Sequence, residues 1–564
     1  MGGDPRLFLY GALAIMLFLV WQTWELEKAP PSVSSQASQQ QPAPAGGTSD
    51  MPAPRAEDMP EARQAEPADD LPNEALPERR DWIKVRTDVL DLRIDTVGGN
   101  VMQADLPQYP VSLEKPDVPT RLLYVGNEKY VVQSGLTHDT SGDLDLSHRA
   151  PSHHSPYQAD RLQYDFSETT EPETVTLRWD GPDGIQVLKH FHFTPGQYLV
   201  DITHEVRNQG AEDWVGRQYR QLRRSAGRAP DRTSLLFGNT EAISFIGAAY
   251  HDSETYHKLS FEDMDEEPFS ANLMDGWVAM LQHYFVSAWV PPRGDVERYY
   301  TRVVRGGRYP EYIIGMHSPA QRIAPGASAR FSSQLYVGPK EQNELKEIAD
   351  GLELTVDYGV LTILSKPLFW VLDNIYWLTG NWGWSIVLLT VLIKLVFYKL
   401  SETSYRSMAK MRKFAPRVQQ LRERYGGDRV KMNEAMMKMY REEKVNPLGG
   451  CWPILVQIPV FIALYWVLLE SVELRQAPFI AWIHDLSVRD PYYVLPVLMG
   501  ASMVVQTKLN PTPPDPFQAK LMMALPIVFT VFFLFFPAGL VLYWLVNNLL
   551  SIAQQWFIIR RMDA

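Results

Sequence analysis

A single cation inside an apolar run is the residue of this chain whose position most needs a chemical reason. Residues 384–400 read WSIVLLTVLIKLVFYKL, which is apolar enough to cross a bilayer, and Lys394 lies within the run. An ammonium at the centre of a spanning helix costs about 2.5 kcal/mol or more, so such residues are rare and usually functional. With a rise of about 1.5 Å per residue, Lys394 is expected roughly 9 Å inside a helix end at Leu400.

Two interpretations of Lys394 stay open on spacing alone. In the first, the long side chain snorkels and carries its charge to the cytoplasmic headgroups. In the second, the ammonium lies in a water-filled recess that opens to the cytoplasm. Thr390 lies one turn earlier on the same face, and Gln457, Asn547 and Asn548 interrupt later apolar runs. Each could simply join neighbouring helices, but together they exceed what five spans need for that purpose, which favours the recess.

The apolar runs that position these residues predict a helical membrane bundle. The five after residue 380 are 382–400, 452–470, 492–508, 518–536 and 539–557. Each is long enough for a span, and together they predict a five-span core over residues 380–562. A sixth span precedes them at Leu7–Trp24, which has no small-x-small cleavage site. We therefore interpret residues 1–28 as an uncleaved anchor rather than a signal peptide.

Residues 353–379 also resemble a span in length, but polar residues interrupt them. These are Lys366, Pro367, Asp373 and Asn374. The pattern predicts an amphipathic helix that lies in the membrane surface.

The composition of the chain between the anchor and this helix changes twice. Residues 29–80 are rich in Pro, Ala, Gln, Glu and Asp and predict a disordered linker. Residues 81–340 show period-two alternation, and 175–193 (VTLRWDGPDGIQVLKHFHF) predicts a hairpin with its turn at Asp-Gly-Pro-Asp-Gly. We expect a large all-β, antiparallel sandwich here.

Uneven charge sets the expected orientation. The net charge is −12 overall, −20 over residues 1–360 and +6 over residues 401–450. Because cytoplasmic loops carry the excess of Lys and Arg, residues 401–450 and both termini should be cytoplasmic and the acidic sandwich external. The basic loop itself predicts a helical hairpin whose methionines either fill a plain helix core or form an adaptable apolar surface. The hairpin residues of interest are Met408, Lys410, Met411, Arg412, Met436 and Met437.

Motifs for enzymatic chemistry are missing from the sequence. P-loop, HExxH, GxSxG and GxGxxG patterns do not occur. Cys451 stands alone, so no intramolecular disulfide or multi-cysteine metal site can form. His190 and His192 should share one side of a strand, but no third ligand is specified and structural roles are favoured. We expect no metal, no cofactor and no enzymatic activity.

Four stretches together resemble the YidC family, the membrane protein insertases of Gram-negative bacteria. They are SYRSMAKMRKFAP (404–416), EEKVNPLGGCWPILVQIPVFIALYWVL (442–468), SVELRQAPFIAWIHDLSVRDPYYVLPVLMG (471–500) and VFTVFFLFFPAGLVLYWLVNNL (528–549). The resemblance implies a multi-pass protein of the bacterial inner membrane with a periplasmic β-supersandwich. It also implies that the chain inserts, folds and assembles inner-membrane proteins, alone or with the Sec translocon.

The same resemblance implies roles for particular residues. In that family a positive side chain lies in a hydrophilic groove that is open to the cytoplasm and to lipid, and Lys394 falls on that position, where a relative has arginine. The matching groove positions are Thr390, Gln457, Tyr543, Trp544 and Asn548. The apolar slide along which a client helix leaves matches Ile458, Val460, Phe461, Phe529 and Phe532.

The resemblance also implies partners. These are nascent inner-membrane proteins, the Sec translocon (SecYEG and SecDF), the ribosome and signal recognition pathway, and membrane lipid, with no specific nucleic-acid sequence. Many relatives end in a long basic tail that helps bind ribosomes, whereas this sequence stops at Arg561-Met-Asp-Ala, which departs from that pattern.

Two other classes of function compete with insertion. A secondary transporter would use Lys394 as an ion or substrate site, but the five-span region shows no duplicated half. A membrane-tethered carbohydrate-active protein would use the sandwich, which resembles sugar-binding sandwiches, but the sequence identifies no acid/base carboxylate pair.

Overall fold

A computed structural model describes residues 81–138, 147–227, 244–425, 429–442, 452–509 and 516–563. Within these ranges the chain forms two units, a β-rich unit of residues 81–359 and 469–476 and a helical unit of residues 360–468 and 477–563. The predicted anchor and linker (1–80) lie outside the described residues.

The β-rich unit is built from alternating strands. In chain order they are β1 (Trp82–Arg86), β2 (Asp91–Asp95), β3 (Val101–Ser112), β4 (Lys115–Val125), β5 (Lys129–His138), β6 (Gln158–Ala159), β7 (Gln163–Asp165), β8 (Glu173–Asp180), β9 (Ile185–Phe193), β10 (Leu199–Asn208), β11 (Trp214–Ser225), β12 (Gly247–His251), β13 (Tyr256–Leu259), β14 (Ser270–Met274), β15 (Trp277–Leu281), β16 (Phe285–Val290), β17 (Val296–Val304), β18 (Glu311–His317), β19 (Gln321–Ile323) and β20 (Ser328–Pro339). Two short helices accompany them, α1 (Phe261–Glu266) and α2 (Gln342–Ile348).

Two sheets pack around a main apolar core. The first has eleven described strands, ordered β14-β17-β18-β11-β5-β4-β3-β2-β1-β7 with β19 beside β11, and the second has nine, ordered β13-β12-β15-β16-β20-β10-β9-β8-β6. The strand pairs are antiparallel except β1 with β7. Side chains of both sheets, such as Ile83 and Phe191, meet in a single buried cluster. The prediction of an all-β sandwich is confirmed.

The predicted hairpin at 175–193 shows how the alternation works. Strands β8 and β9 pair with Val175 opposite Phe191, and Phe191 is fully buried. His190 and His192 lie on the other face with ring centroids 6.1 Å apart. Each ring nitrogen Nδ1 bonds a threonine hydroxyl of β8, at 2.9 Å and 2.6 Å respectively.

The helical unit contains α3 (Thr362–Thr379), α4 (Trp382–Val396), α5 (Tyr398–Lys413), α6 (Ala415–Tyr425), α7 (Arg429–Glu442), α8 (Trp452–Glu470), α9 (Val494–Leu509), α10 (Pro516–Phe533) and α11 (Ala538–Asp563). In the described ranges no helix is on its own both long enough and apolar enough to cross a bilayer. Helices α4 and α5 satisfy that criterion as a pair, Trp382–Val396 with Tyr398–Met411, and are bent by 68° at their junction.

This bend corrects the expected distance of Lys394 from the end of its helix. The helix ends at Val396 and not at Leu400, so Lys394 lies in its last turn. A cation in the last turn of a helix is favoured by the partial negative charge of the unpaired carbonyl groups.

The first arm of the basic hairpin consists of two helices, α5 and α6, and Pro416 is expected from the sequence to kink this arm. The helix is interrupted between Lys413 and Ala415, just before Pro416. A proline ring clashes with the carbonyl group four residues earlier and offers no N–H, so the helix cannot continue through it. Helices α6 and α7 pack against each other as the two sides of the hairpin.

The predicted surface helix is shorter than expected. Its regular part is α3, preceded by 3-10 turns at Leu352–Thr355 and Gly359–Leu361. One face of α3 is buried through Phe369 and Leu372, while Trp370 and Trp377 are 67% and 86% exposed. The exposed face of this helix is therefore largely aromatic and apolar.

Candidate functional site

A row of polar side chains on α11 organises the helical unit. Its members recur at helical spacing on neighbouring faces: Asn547, Asn548, Ser551, Gln554 and Gln555. Helix α11 packs against α4, α5 and α9, so the row faces three helices. Each polar group in an apolar helix must find a partner, and the partners of this row define the candidate site.

Lys394 bonds the centre of the row. Its Nζ donates to Ser551 Oγ at 2.8 Å, and Ser551 Oγ in turn donates to the Asn547 carbonyl at 2.7 Å. Tyr405 of α5 also hydrogen-bonds Ser551. Ser551 is 3% exposed, whereas Lys394 is only half-buried. The serine therefore ties together three helices and holds the ammonium at their junction.

Lys394 has no carboxylate partner among the described residues: the ion pairs of that part of the chain do not include it, and its hydrogen bond goes to Ser551. The nearby Lys399 differs, since it lies on α5 with its side chain 92% exposed and pairs with Glu402 at 3.9 Å. Lys394 is thus a fixed, partly accessible positive charge that no carboxylate of the described residues neutralises.

Two further predicted groove residues have contrasting surroundings. Gln457 of α8 donates from Nε2 to Asn547 Oδ1 at 2.7 Å, which links α8 to the row. Thr390 is 1% exposed, and its hydroxyl donates to the Ile386 carbonyl of its own helix at 2.7 Å. The structure brings Lys394 and Gln457 to one polar row, whereas the Thr390 hydroxyl bonds within its own helix.

The other side of the row faces α9. Asn548 is buried and donates to Ser502 Oγ at 3.3 Å, and Gln555 donates to the Leu509 carbonyl at 3.4 Å. Gln554 donates to the Tyr398 carbonyl at the start of α5, also at 3.4 Å. Asn548 therefore joins helices and points away from Lys394.

Aromatic side chains gather one turn before the polar row. The ring of Trp544 contacts those of Phe461, Phe533 and Phe529, with centroids 4.8, 4.9 and 6.3 Å away. Tyr543 is buried and stacks on Phe461 at 6.0 Å. Tyr543 and Trp544, predicted as groove residues, thus pack with two of the predicted slide residues.

The remaining slide residues lie toward the surface of the unit. Ile458 and Val460 are half-buried on α8, and Phe532 is 53% exposed on α10. The same face of α10 exposes Ile527, Val528 and Val531. The aromatic cluster therefore continues into an exposed apolar surface.

The predicted hairpin residues are mostly accessible. Met408 and Met411 are half-buried on α5 and Lys410 is exposed. Met436 and Met437 are half-buried on α7. The side chain of Arg412 is outside the described part of the chain.

Sequence reasoning missed Ser551, Tyr405 and Ser502. The signal for Ser551 was present, because it follows Asn547 by four residues on the same helix face. Tyr405 carried no such signal, since only the 68° bend after α4 brings α5 back beside α11.

The matches to known proteins cover the chain from end to end. Residues 82–371 match the family described as "YidC periplasmic domain", and residues 374–564 match "60Kd inner membrane protein". "Membrane protein insertase YidC" from Thioalkalivibrio sulfidiphilus is 54% identical over 99% of this chain and 98% of that relative. The protein of the same name from Alkalilimnicola ehrlichii is 49% identical over 100% and 96%.

Among solved structures, "Active YidC insertase crystal structure with the first transmembrane domain resolved" matches 84% of this chain and 92% of that one. The sequence identity is 17% and the TM-score is 0.37.

Proposed function

The chain belongs to the YidC family of membrane protein insertases, and from that premise we propose that Lys394 and the polar row of α11 form its client-binding groove. One observation carries the proposal. Lys394 is held by Ser551 while no carboxylate of the described chain neutralises it. A fixed cation of this kind attracts the acidic part of a client tail that must cross the membrane.

The groove lowers the barrier that a hydrophilic tail meets. The hydrocarbon layer is about 30 Å thick, and a polar path through part of it shortens the distance over which the tail is without hydrogen-bond partners. The membrane potential adds about 2.3 kcal/mol per charge for each 100 mV. No covalent step and no nucleotide is needed, so the proposed action is not enzymatic.

The aromatic cluster and the outer face of α10 provide the exit for the apolar part of the client. A client helix leaving the groove would pass Phe461 and Phe529 and then the exposed Phe532. Since this surface is as apolar as lipid, the client helix can move along it into the bilayer without uncovering polar groups. Ile458 and Val460 of α8 belong to the same proposed slide.

The proposed topology has six spans with both termini in the cytoplasm. The excess of Lys and Arg in 401–450 supports it, and the β-rich unit is then the periplasmic domain. Helix α3 would lie in the periplasmic surface of the inner membrane, with Trp370 and Trp377 at the headgroups. A cysteine at Lys410 that reacts with an impermeant reagent added outside intact cells would contradict this orientation.

Partners follow from the same premise as proposals. Clients would be nascent inner-membrane proteins, delivered by ribosomes and the signal recognition pathway or passed on by the Sec translocon. The methionines of the hairpin, such as Met408 and Met436, suit apolar segments of varied sequence.

Reconstitution tests the function directly. The purified chain in proteoliposomes should insert a two-span client without nucleotide, and a photocrosslinking residue at Phe461 should capture that client. A crosslinker at Trp370 is the matched control, because α3 is outside the proposed path. Insertion that requires ATP, or equal capture from both positions, would contradict the proposed groove.

A further inference from the structure

A short segment of eight residues is buried in the β-rich unit although it is remote from that unit in sequence. It reads LESVELRQ and spans residues 469–476. Ser471 is fully buried, and Val472 and Leu474 are each 1% exposed. Val472 is part of the main core cluster of the two sheets. A loop would ordinarily run over the surface, so the depth of this segment needs an explanation.

The acidic end of the segment meets two buried side chains, Lys340 and His283. Glu470 is 3% exposed and interacts electrostatically with Lys340, which is 2% exposed. Burial lowers the pKa of Lys340 to about 8, and the Glu470 carboxylate opposes that shift. His283 Nε2 lies 3.1 Å from the Leu469 carbonyl and 3.8 Å from Glu470 Oε1. Burial lowers the pKa of His283 to about 3, so the neutral ring donates to the carbonyl.

The centre of the segment is held by a polar chain. The Ser471 hydroxyl lies 3.3 Å from the Tyr358 hydroxyl, which accepts a bond of 2.6 Å from Gln342 Nε2. The backbone N–H of Gln342 donates to Glu473 Oε1 at 3.5 Å. These bonds join the centre of the segment to α2 and to Tyr358.

The basic end is held by the β3–β4 hairpin. Arg475 Nη2 donates to the Pro110 carbonyl at 2.8 Å, and its guanidinium lies 5.6 Å from the ring centroid of Phe285. Gln476 Nε2 donates to the same carbonyl at 2.8 Å. The backbone φ of Gln476 is 59°, a left-handed conformation that costs free energy in a residue other than glycine and persists only where surrounding contacts impose it.

We propose that these residues form a peptide-binding groove of the β-rich unit and that the segment 469–476 is its built-in ligand. The groove recognises a peptide with a carboxylate five residues before a guanidinium and an apolar residue between them. Lys340 reads the carboxylate, His283 reads the backbone carbonyl before it, and Phe285 with Pro110 reads the basic end.

Cysteine reactivity of the purified full chain in detergent tests the groove. This assay does not depend on insertion, so it can fail while the proposed function stands, and the reverse also holds. With Cys451 replaced by serine, Val472→Cys should react with a soluble maleimide at least about tenfold more slowly than Val296→Cys, an exposed site of the same unit. Val278→Cys, in the sheet core, is the control for global unfolding.

Two variants open the groove from opposite sides. Lys340→Met leaves Glu470 buried without its cation, and Arg475→Gln removes the guanidinium from Phe285; each should raise the reactivity at position 472 about tenfold. Adding Glu470→Gln to Lys340→Met should restore slow labelling. If Lys340→Met also exposes position 278, the Arg475→Gln result decides alone. Fast labelling at 472 in the parent, or no increase in Arg475→Gln, would overturn the proposal.

Discussion

Lys394 and Ser551 are 157 residues apart in the chain, and their Nζ and Oγ atoms lie 2.8 Å apart. The serine also bonds Tyr405 and its own helix through the Asn547 carbonyl. A lysine side chain has many rotamers, and a single neutral acceptor fixes its position without cancelling its charge. Substitutions at Ser551 and at Lys394 test whether this placement serves client binding.

The first prediction concerns Ser551 as the residue that positions the ammonium. Ser551→Ala removes a hydrogen bond to a charged group, worth about 1.5–3 kcal/mol. Insertion of a client with an acidic tail should fall about tenfold, and Ser551→Thr should keep most of the activity because the hydroxyl remains. Ser502→Ala is the matched control, since Ser502 bonds Asn548 and not Lys394. A double variant Ser551→Ala with Lys394→Ala that inserts the client as poorly as Ser551→Ala alone would support this role. Fully additive losses of insertion would refute it.

A second prediction separates packing from client contact in the aromatic cluster. Phe533 is 3% exposed and Phe532 is 53% exposed, so Phe533→Ala should destabilise the helical unit by about 3–5 kcal/mol and Phe532→Ala by far less. Thermal unfolding of the purified chain measures the difference. Phe532→Ala should instead slow client release from the groove, measured as a longer-lived crosslink to Phe461. Equal stability losses in both variants would contradict this assignment.

A third prediction uses Lys189, a buried cation of the β-rich unit. Its Nζ is fully buried and donates to the carbonyl groups of Gly98, Gly99 and Ser134 at 3.0, 2.9 and 3.1 Å. Lys189→Met leaves three buried acceptors without a donor, so we expect a loss of about 2–4 kcal/mol in the stability of this unit. Proteolysis of the purified chain reports it. Arg178→Met, on the exposed face of β8, is the control and should change little.

A fourth prediction follows from the pKa of Glu344. Burial and the Glu341 carboxylate raise the pKa of Glu344 to about 7, above its usual value near 4.3 in an unfolded chain. The folded state therefore binds more protons between these values, and stability falls as the pH rises from about 4.5 to 7. Because Glu344 is only half-buried, we discount the effect to about 1–2 kcal/mol.

Glu344→Gln should remove this pH dependence and stabilise the unit at pH 8. Thermal unfolding at pH 5 and pH 8 measures it, with Glu347→Gln at the neighbouring exposed carboxylate as the control. A larger gain from Glu344→Gln at pH 5 than at pH 8 would contradict the prediction.

The parts of the fold that sequence predicted are those with local periodicity. The hairpin at 175–193 and the apolar runs of α8 and α9 each follow from residues close in the chain. The bend after Val396 did not, because the apolar run continues to Leu400 and nothing local marks the break. That bend leaves Lys394 in the last turn of its helix and brings α5, with Tyr405, back beside α11.

The burial of 469–476 was equally beyond sequence reasoning. LESVELRQ is polar enough to be interpreted as a loop, and its partners Pro110 and His283 are each more than 180 residues away. Buried polar segments depend on matched partners across the fold, and such pairings leave no periodic signal.

The last prediction concerns Lys394 itself. If its charge draws acidic tails into the groove, Lys394→Arg should preserve insertion, whereas Lys394→Ala and Lys394→Glu should impair it. The loss should reach about tenfold for a two-span client with an acidic tail, the effect of a contact worth about 1.5 kcal/mol, and should be smaller when the tail is neutral. Snorkelling predicts a mild effect for alanine with both clients, because an apolar residue suits a spanning helix.

The measurement is insertion in cells depleted of their native insertase. Lys399 lies on α5, not on α4, and pairs there with Glu402. Lys399→Ala alone should therefore change little and should not deepen the defect of Lys394→Ala. Equal insertion of both clients by the alanine variant and the parent would return Lys394 to the snorkelling interpretation.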